Sequence, residues 1–340
     1  MTAGLFSEAS SYLVKKHLSP ALFKNLEHLE TASGFTLEKA IRSGIQNPDS
    51  SIGIYAGDAE SYQVFSPVFD PVIYEYHHFS KDKKHFSDFT VPELPLADPE
   101  GKYILSTRIR VARNLKNYDF PANLSLSQRK DLENKILRAL DLLKSDLAGE
   151  YRSLADISIN TPGRHQDKRL AFEKGDRFQD AAGINSDFPE GRGVFYSLDR
   201  QFIVWVNEED HLRIMSLEKT SDLSSVFHRL CRALQALSPP LELAFDNRLG
   251  YLTSCPTNLG TAMRAGVHIW LEKLNRNKEI LHWLAREYHL QIRGTKGEKT
   301  EVEKAVFDIS NAQRLGISEA AIIQTLHRGL LAIIKAEKSL

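Results

Sequence analysis

Tyr103-Ile104-Leu105-Ser106-Thr107-Arg108-Ile109-Arg110-Val111 is the stretch from which the rest of the chain can be read. Side chains on a strand alternate between its two faces. Tyr103, Leu105, Ile109 and Val111 therefore form an apolar face, and Arg108 and Arg110 project together from the other. Two neighbouring guanidinium groups repel unless an anion or carboxylates lie between them. Arg grips phosphate oxygens bidentately, so a polyphosphate is a natural counter-ion. Taken alone, the commoner reading of this spacing is a solvated strand face with paired carboxylates.

Downstream, strands and helices alternate. Gln201–Val206 and Val267–Leu271 read as buried strands. Ser127–Leu147 and Ser318–Leu340 have helical period, the second with Ile322, Leu326, Leu330 and Ile333 on one face. Upstream, residues 1 to about 80 read as mostly helical. Leu37, Ile41 and Ile45 recur behind a candidate N-cap, Thr36, and that helix should stop near Asn47-Pro48, because the residue before a proline disfavours helix. Lys81–Pro99, polar and proline-containing, is expected to be a linker. The pattern implies a small helical domain followed by a larger α+β domain with a sheet.

With 340 residues there is enough chain for two domains of roughly 150 residues each. Lys plus Arg and Asp plus Glu balance at 44 each. Zero net charge gives no general pull toward nucleic acid or an anionic membrane, and neither is expected as a partner. Any anion site must come from local clustering of arginine. Two cysteines, Cys231 and Cys255, are too few for a disulfide scaffold, and a reducing, intracellular setting is expected. No secretory leader and no membrane span of about 18 apolar residues is expected.

Three further segments hold residues suited to chemistry. In Trp205-Val206-Asn207-Glu208-Glu209-Asp210-His211-Leu212-Arg213 a buried strand runs into three carboxylates. Such a cluster suits Mg2+ or a cationic substrate, although an acidic surface turn is commoner. In Cys255-Pro256-Thr257-Asn258 a lone cysteine sits among small polar residues, where hydrogen bonds and cations can lower a thiol pKa. An inert buried cysteine is more frequent, and Cys231, in a helical context, fits that better. Arg293-Gly294-Thr295-Lys296-Gly297-Glu298-Lys299-Thr300 reads as a loop. It is not a P-loop, because Lys299 stands where the spacing after Gly294 requires glycine. Protein-kinase signatures are also missing. A nucleotide cradle would have to be built from arginines.

In order, STRIRVAR (106–113), VWVNEEDHLR (204–213), CPTNLGTAMRAGVHI (255–269), RGTKGEKTE (293–301) and FDISNAQRLG (307–316) closely resemble the phosphagen (ATP:guanidino) kinases, arginine kinase above all. The likeness runs along nearly the whole chain. It implies an α+β fold: a small all-helical N-terminal domain with the guanidino-specificity loop and linker (1–95), then a larger catalytic domain with an antiparallel β-sheet flanked by helices (96–340). It implies a cytoplasmic phosphotransferase that moves the γ-phosphoryl group of MgATP reversibly to L-arginine, with ADP and phosphoarginine as products. Taurocyamine or another small guanidine is the alternative acceptor. A protein-arginine kinase is disfavoured, since that enzyme lacks the helical domain. A monomer and a homodimer are both compatible.

The resemblance also assigns roles residue by residue. Arg108, Arg110, Arg213, Arg264 and Arg293 hold the nucleotide phosphates, Arg264 also acting on the transition state. Glu208 lies nearest the waters of the nucleotide's Mg2+. Glu209 and Glu298 clamp the guanidinium, and Cys255 supplies a thiolate that the Thr257 hydroxyl helps to stabilise. Ser50, Ser51, Ile52 and Tyr55 belong to the acceptor loop, and Asp49 pairs with Arg177 on domain closure. The chain departs from the pattern at Ser51 (commonly Gly), Ile52 (Val), Arg169 (His) and Lys304-Ala305 (Gly-Gly).

Overall fold

The computed structural model describes residues 12–156, 173–294 and 305–340. The first part is helical: α1 (Leu13–His17), α2 (Pro20–Leu26), α3 (Leu37–Gln46), α4 (Ser61–Val64) and α5 (Ser66–His77). Thr36 caps α3, its hydroxyl accepting from the Lys39 amide at 3.4 Å. Leu37 and Ile41 are fully buried, whereas Ile45 is half-buried. Together with Tyr12, Phe35, Phe65 and Phe69 they form the core of this lobe.

Among the described residues, the second part carries ten strands, eight of them in one sheet: β1 (Ile104–Arg113), β2 (Gly149–Ser153), β3 (Gly193–Ser197), β4 (Phe202–Val206), β5 (Leu212–Glu218), β8 (Met263–Trp270), β9 (Leu290–Arg293) and β10 (Val306–Asn311). Between β5 and β8, the short strands β6 (Phe245–Asp246) and β7 (Gly250–Tyr251) form a separate hairpin. The eight make one sheet in the order β2-β3-β4-β5-β1-β8-β10-β9, with every neighbouring pair antiparallel. Three long helices, α6 (Leu126–Leu140), α8 (Leu223–Leu241) and α11 (Glu319–Ser339), contribute to the same core as one face of the sheet. The remaining helices are α7 (Arg177–Ala182), α9 (Glu272–Arg276) and α10 (Lys278–Glu287).

Alternation decides what each face carries. Ile109 and Val111 on β1, Leu212 and Ile214 on β5, and Met263, Ala265 and Val267 on β8 are essentially fully buried beneath the helices. Their neighbours, Arg108, Arg110, Arg213 and Arg264, are forced onto the open face.

Three expectations need correction. Leu105 is 46% exposed and Ile104 is buried in its place. The register of β1 against β8 shifts between Ile104 and Ser106, and this bulge reverses the alternation before the arginines. The helix expected over Ser127–Leu147 runs from Leu126 to Leu140, and a 3-10 turn at Ser145–Leu147 follows. Lys81–Pro99 has no helix or strand, yet it is no free linker. The Asp88 carbonyl accepts from the Ala320 amide at 3.0 Å, the Pro92 carbonyl from Ser224 Oγ at 2.7 Å, and the Pro95 carbonyl lies 2.8 Å from His327 Nε2. The segment is strapped across α8 and α11.

The loop after α3 returns along that helix. The Tyr55 amide donates to the Ala40 carbonyl at 2.9 Å, and the Gly53 amide donates to Ser50 Oγ at 3.1 Å. Gly53 has φ +75°, and a Cβ on Gly44 would stand 2.6 Å from the Gly53 oxygen. Glycine is required at both positions for loop and helix to cross this closely. Gly44→Ala is expected to cost about 1–3 kcal/mol, the usual toll of overpacking. Denaturant unfolding measures it, and an unchanged midpoint would show that the crossing can relax freely.

Candidate active site

Four arginines meet on the open face of the sheet. Arg110 of β1 stands directly opposite Arg264 of β8, and Ala112 of β1 stands opposite Arg213 of β5. Arg264 pairs with Asp308 at 2.7 Å and donates to Ser310 Oγ at 3.1 Å. Arg293, at the end of β9, is the cross-strand partner of that same Asp308. Arg213 pairs with Glu208 at 2.7 Å and lies over the Trp205 ring, 5.4 Å from its centroid. Among the described residues, Arg108 and Arg110 have no carboxylate within ion-pair distance. Arg108 faces the open cleft and donates to Met215 Sδ at 3.1 Å. The surrounding walls, with Arg213 and Arg264, lower its pKa to about 10. Desolvation lowers Arg110 further still, with Arg213, Arg108, Arg264 and Arg314 adding to it. A cavity of about 700 Å³ opens here, lined by Arg108, Arg110, Arg264, Trp205, His268 and Asp308 among others. So dense a concentration of positive charge in a half-dry cleft suits a polyanion.

The carboxylate turn after β4 is built around Asn207, whose φ of +58° asparagine tolerates better than most residues. Its side-chain amide donates to the Gly191 carbonyl at 2.7 Å. The three acids then divide. Asp210 is locked by the Asn114 side chain and the Ser254 amide, both donating to Oδ1 at 2.7 Å. Glu208 takes the ion pair to Arg213. Glu209 is 14% exposed and 3.6 Å from Arg213. Burial, then Glu208 and Asp210, push its pKa up to about 8.

Cys255 approaches from the other side and is 7% exposed. Its Sγ lies 3.1 Å from Thr257 Oγ1, the contact expected for a stabilised thiolate. Burial and the charge of Glu209 nevertheless raise the thiol to about 12. Without a cationic acceptor the sulfur therefore keeps its proton. Tyr55 is buried and raised by its burial, then by Cys255 and Glu209. The Ala56 amide, next in the chain, donates to the Ser254 carbonyl at 2.8 Å and brings the Asp49–Tyr55 loop alongside the Cys255 segment. Ser50 is buried, Ser51 is exposed, and Ile52 points into the core of the helical lobe. Asp49 pairs with Arg177, both largely exposed. Glu298, Arg169 and Lys304 lie outside the described residues. Ala305, where the family resemblance expects Gly, has φ +59°, a region that favours glycine.

Sequence reasoning missed several residues here. Asp308, Ser310 and His268 follow the same alternation that singled out Arg108 and Arg110, with Phe307, Ile309, Val267 and Ile269 buried between them. Their parity was available from the start. Arg314 sits in an irregular loop and has no periodic signal. Its Nη1 donates to the Thr257 carbonyl at 2.9 Å and to Asn258 Oδ1 at 3.0 Å.

Comparison with known proteins agrees with this geometry. Residues 131–340 match the family described as ATP:guanido phosphotransferase, C-terminal catalytic domain, and residues 8–74 match the N-terminal domain of the same family. The chain is 44% identical over 333 residues to arginine kinase from Penaeus monodon, covering 96% of this chain and 93% of that one. It is also 44% identical to arginine kinase from Anthopleura japonica, of which it spans about half (46%). The crystal structure of lombricine kinase superposes with a TM-score of 0.92 at 34% identity, covering 97% of this chain and 93% of that one. The duplicated taurocyamine kinase from Schistosoma mansoni with bound transition-state analog components gives 0.88 at 33% identity, covering 98% of this chain and 47% of that one.

The raised pKa of Glu209 can be tested through stability. Its proton is held more tightly in the folded than in the unfolded chain. The resulting stabilisation is complete below the ordinary value of 4.5 and is lost as pH rises through about 8. Glu209→Gln escapes this loss. In denaturant unfolding of the ligand-free protein, its advantage over wild type should grow across that window and then level off. A difference that stays flat with pH would contradict a buried proton at Glu209.

Proposed function

The chain belongs to the ATP:guanido phosphotransferase family, and from that premise we propose that it transfers the γ-phosphoryl group of MgATP reversibly to free L-arginine in the cytoplasm. The observation that carries the acceptor assignment is the placement of Tyr55. It closes the Asp49–Tyr55 loop, and the Ala56 amide beyond it donates to the Ser254 carbonyl at 2.8 Å. Tyr55 thereby borders Glu209 and Cys255, where a guanidinium head would sit, and the loop is left to meet the amino-acid tail. Identity of 44% to arginine kinases over 96% of the chain supports the same reading.

The chemistry follows from what surrounds each end. Phosphoryl transfer is mostly positioning and charge stabilisation of an in-line transition state. Arg108, Arg110, Arg213, Arg264 and Arg293 supply fixed positive charge for the phosphate oxygens, and the strands prevent them from retreating. A guanidinium has a pKa above about 12, so a proton must leave as its nitrogen attacks phosphorus. Glu209, ionised once the guanidinium cation sits beside it, is placed to take that proton from the nitrogen. The N–P bond forms as the bond to the ADP oxygen breaks, and Cys255 adds partial negative charge beside the cation.

Among the described residues, no three His, Cys, Asp or Glu side chains converge to hold a metal. Glu208, the carboxylate paired with Arg213, fits a Mg2+ ion that arrives on the nucleotide and keeps its waters. When bound, the ion supplies further positive charge against the phosphate oxygens.

A coupled ADP-release assay with MgATP and arginine, taurocyamine, lombricine, creatine or glycocyamine tests the acceptor. Arginine should have the highest kcat/KM, by about tenfold or more. A higher value on another guanidine overturns arginine and keeps the reaction class. Arg264→Ala should lower kcat by about 10²–10³ with its far-UV circular dichroism intact. Wild-type turnover in that variant contradicts its role.

A further inference from the structure

We propose that the helical lobe positions the Cys255 segment, with His77 as its principal contact; this rests on the kinase reading above. The segment has little structure of its own. Its regular part is a single 3-10 turn, Pro256–Asn258, and its remaining order comes from groups that fix its carbonyls one by one. Thr253 Oγ1 donates to the Cys255 carbonyl at 2.8 Å. Arg314 holds the Thr257 carbonyl at 2.9 Å. The Pro256 carbonyl, between them, is held at 2.8 Å by Nε2 of His77, the last residue of α5. Two more contacts come from the helical lobe: Tyr62 Oη donates to the Thr253 carbonyl at 2.7 Å, and the Ala56 amide donates to the Ser254 carbonyl at 2.8 Å.

The chemistry of the His77 contact is fixed. A carbonyl can only accept, so Nε2 carries the hydrogen. Burial lowers the ring's pKa to about 4, with Arg314 and His78 acting in the same direction, so the ring is neutral at physiological pH. His77 is 9% exposed, and loss of its N–H would leave the Pro256 carbonyl to the longer bond from the Leu259 amide, at 3.3 Å. That carbonyl belongs to the residue between Cys255 and Thr257, so a change in its direction carries Sγ and its hydroxyl partner with it. The arginines of β1, β5 and β8 do not depend on this contact. His77 should therefore govern turnover and thiol geometry, and not nucleotide binding.

The test compares His77→Asn, whose amide is too short to reach, with His77→Gln, which can replace the N–H. Both are made in a Cys231→Ala background, so that iodoacetamide reports on Cys255 alone. In His77→Asn, kcat should fall by about tenfold, KM for MgATP should stay within about twofold, and the alkylation rate of Cys255 should change several-fold. His77→Gln should restore most of both properties. The proposal is overturned if His77→Asn keeps wild-type turnover and alkylation, if its loss falls equally on KM for MgATP, or if a folded His77→Gln is as impaired as His77→Asn. If the parent protein phosphorylates no guanidine, the kinase reading fails instead, and the alkylation comparison still decides whether His77 positions the thiol.

Discussion

The site depends on like charges held where they cannot separate. Helix-side packing of Ile109, Val111, Ile214, Ala265 and Val267 fixes the register of β1, β5 and β8. That register sets Arg110 directly across from Arg264, an arrangement that weakens a sheet when nothing intervenes. Glu208 and Asp308 offset Arg213 and Arg264. Among the described residues no carboxylate pairs with Arg108 or Arg110, and a polyanion entering the cleft would balance them. The apolar core is thus what makes the polar face a binding site: it spends packing energy to hold a charge pattern that a polyphosphate completes.

The acceptor end obeys the opposite electrostatics and is assembled from both lobes. Glu209 and Cys255 hold their protons in the free protein because each is buried beside negative charge. On the proposed reading, a guanidinium cation arriving between them lowers both proton affinities, so acceptor and acidic groups become ionic together. The helical lobe takes part twice, through the loop ending at Tyr55 and through the contacts of Ala56, Tyr62 and His77 with the Cys255 segment. Asp210, locked by Asn114 and by the Ser254 amide, ties the acidic turn to the same segment. Displacement of one end is therefore felt at the other.

Much of this was legible in the chain. The period of two in Thr107–Val111 placed both arginines correctly, and Thr36, Asn47 and the stripe of Ile322, Leu326, Leu330 and Ile333 marked real helix limits and a real buried face. Leu105 was misread because a bulge adds a residue without leaving a mark in composition. Composition gave no sign that Lys81–Pro99 is strapped down, because its carbonyls are satisfied by distant backbone and side-chain groups on α8 and α11. Asp308 and His268 were readable by parity, but not before β8 was known to adjoin β1 and β10 to adjoin β8. Arg314 and His77 act through backbone carbonyls, and no spacing rule reports a contact between residues 179 positions apart.

The most direct measurement of the central claim is thermal unfolding of wild type and Arg110→Met at low ionic strength, with and without tripolyphosphate. Crowded guanidinium groups that await a polyanion predict a large upward shift for wild type with tripolyphosphate. They also predict that ligand-free Arg110→Met is the more stable of the two and loses most of the shift. An Arg110→Met protein that is less stable than wild type when free, yet responds fully to tripolyphosphate, would contradict the account.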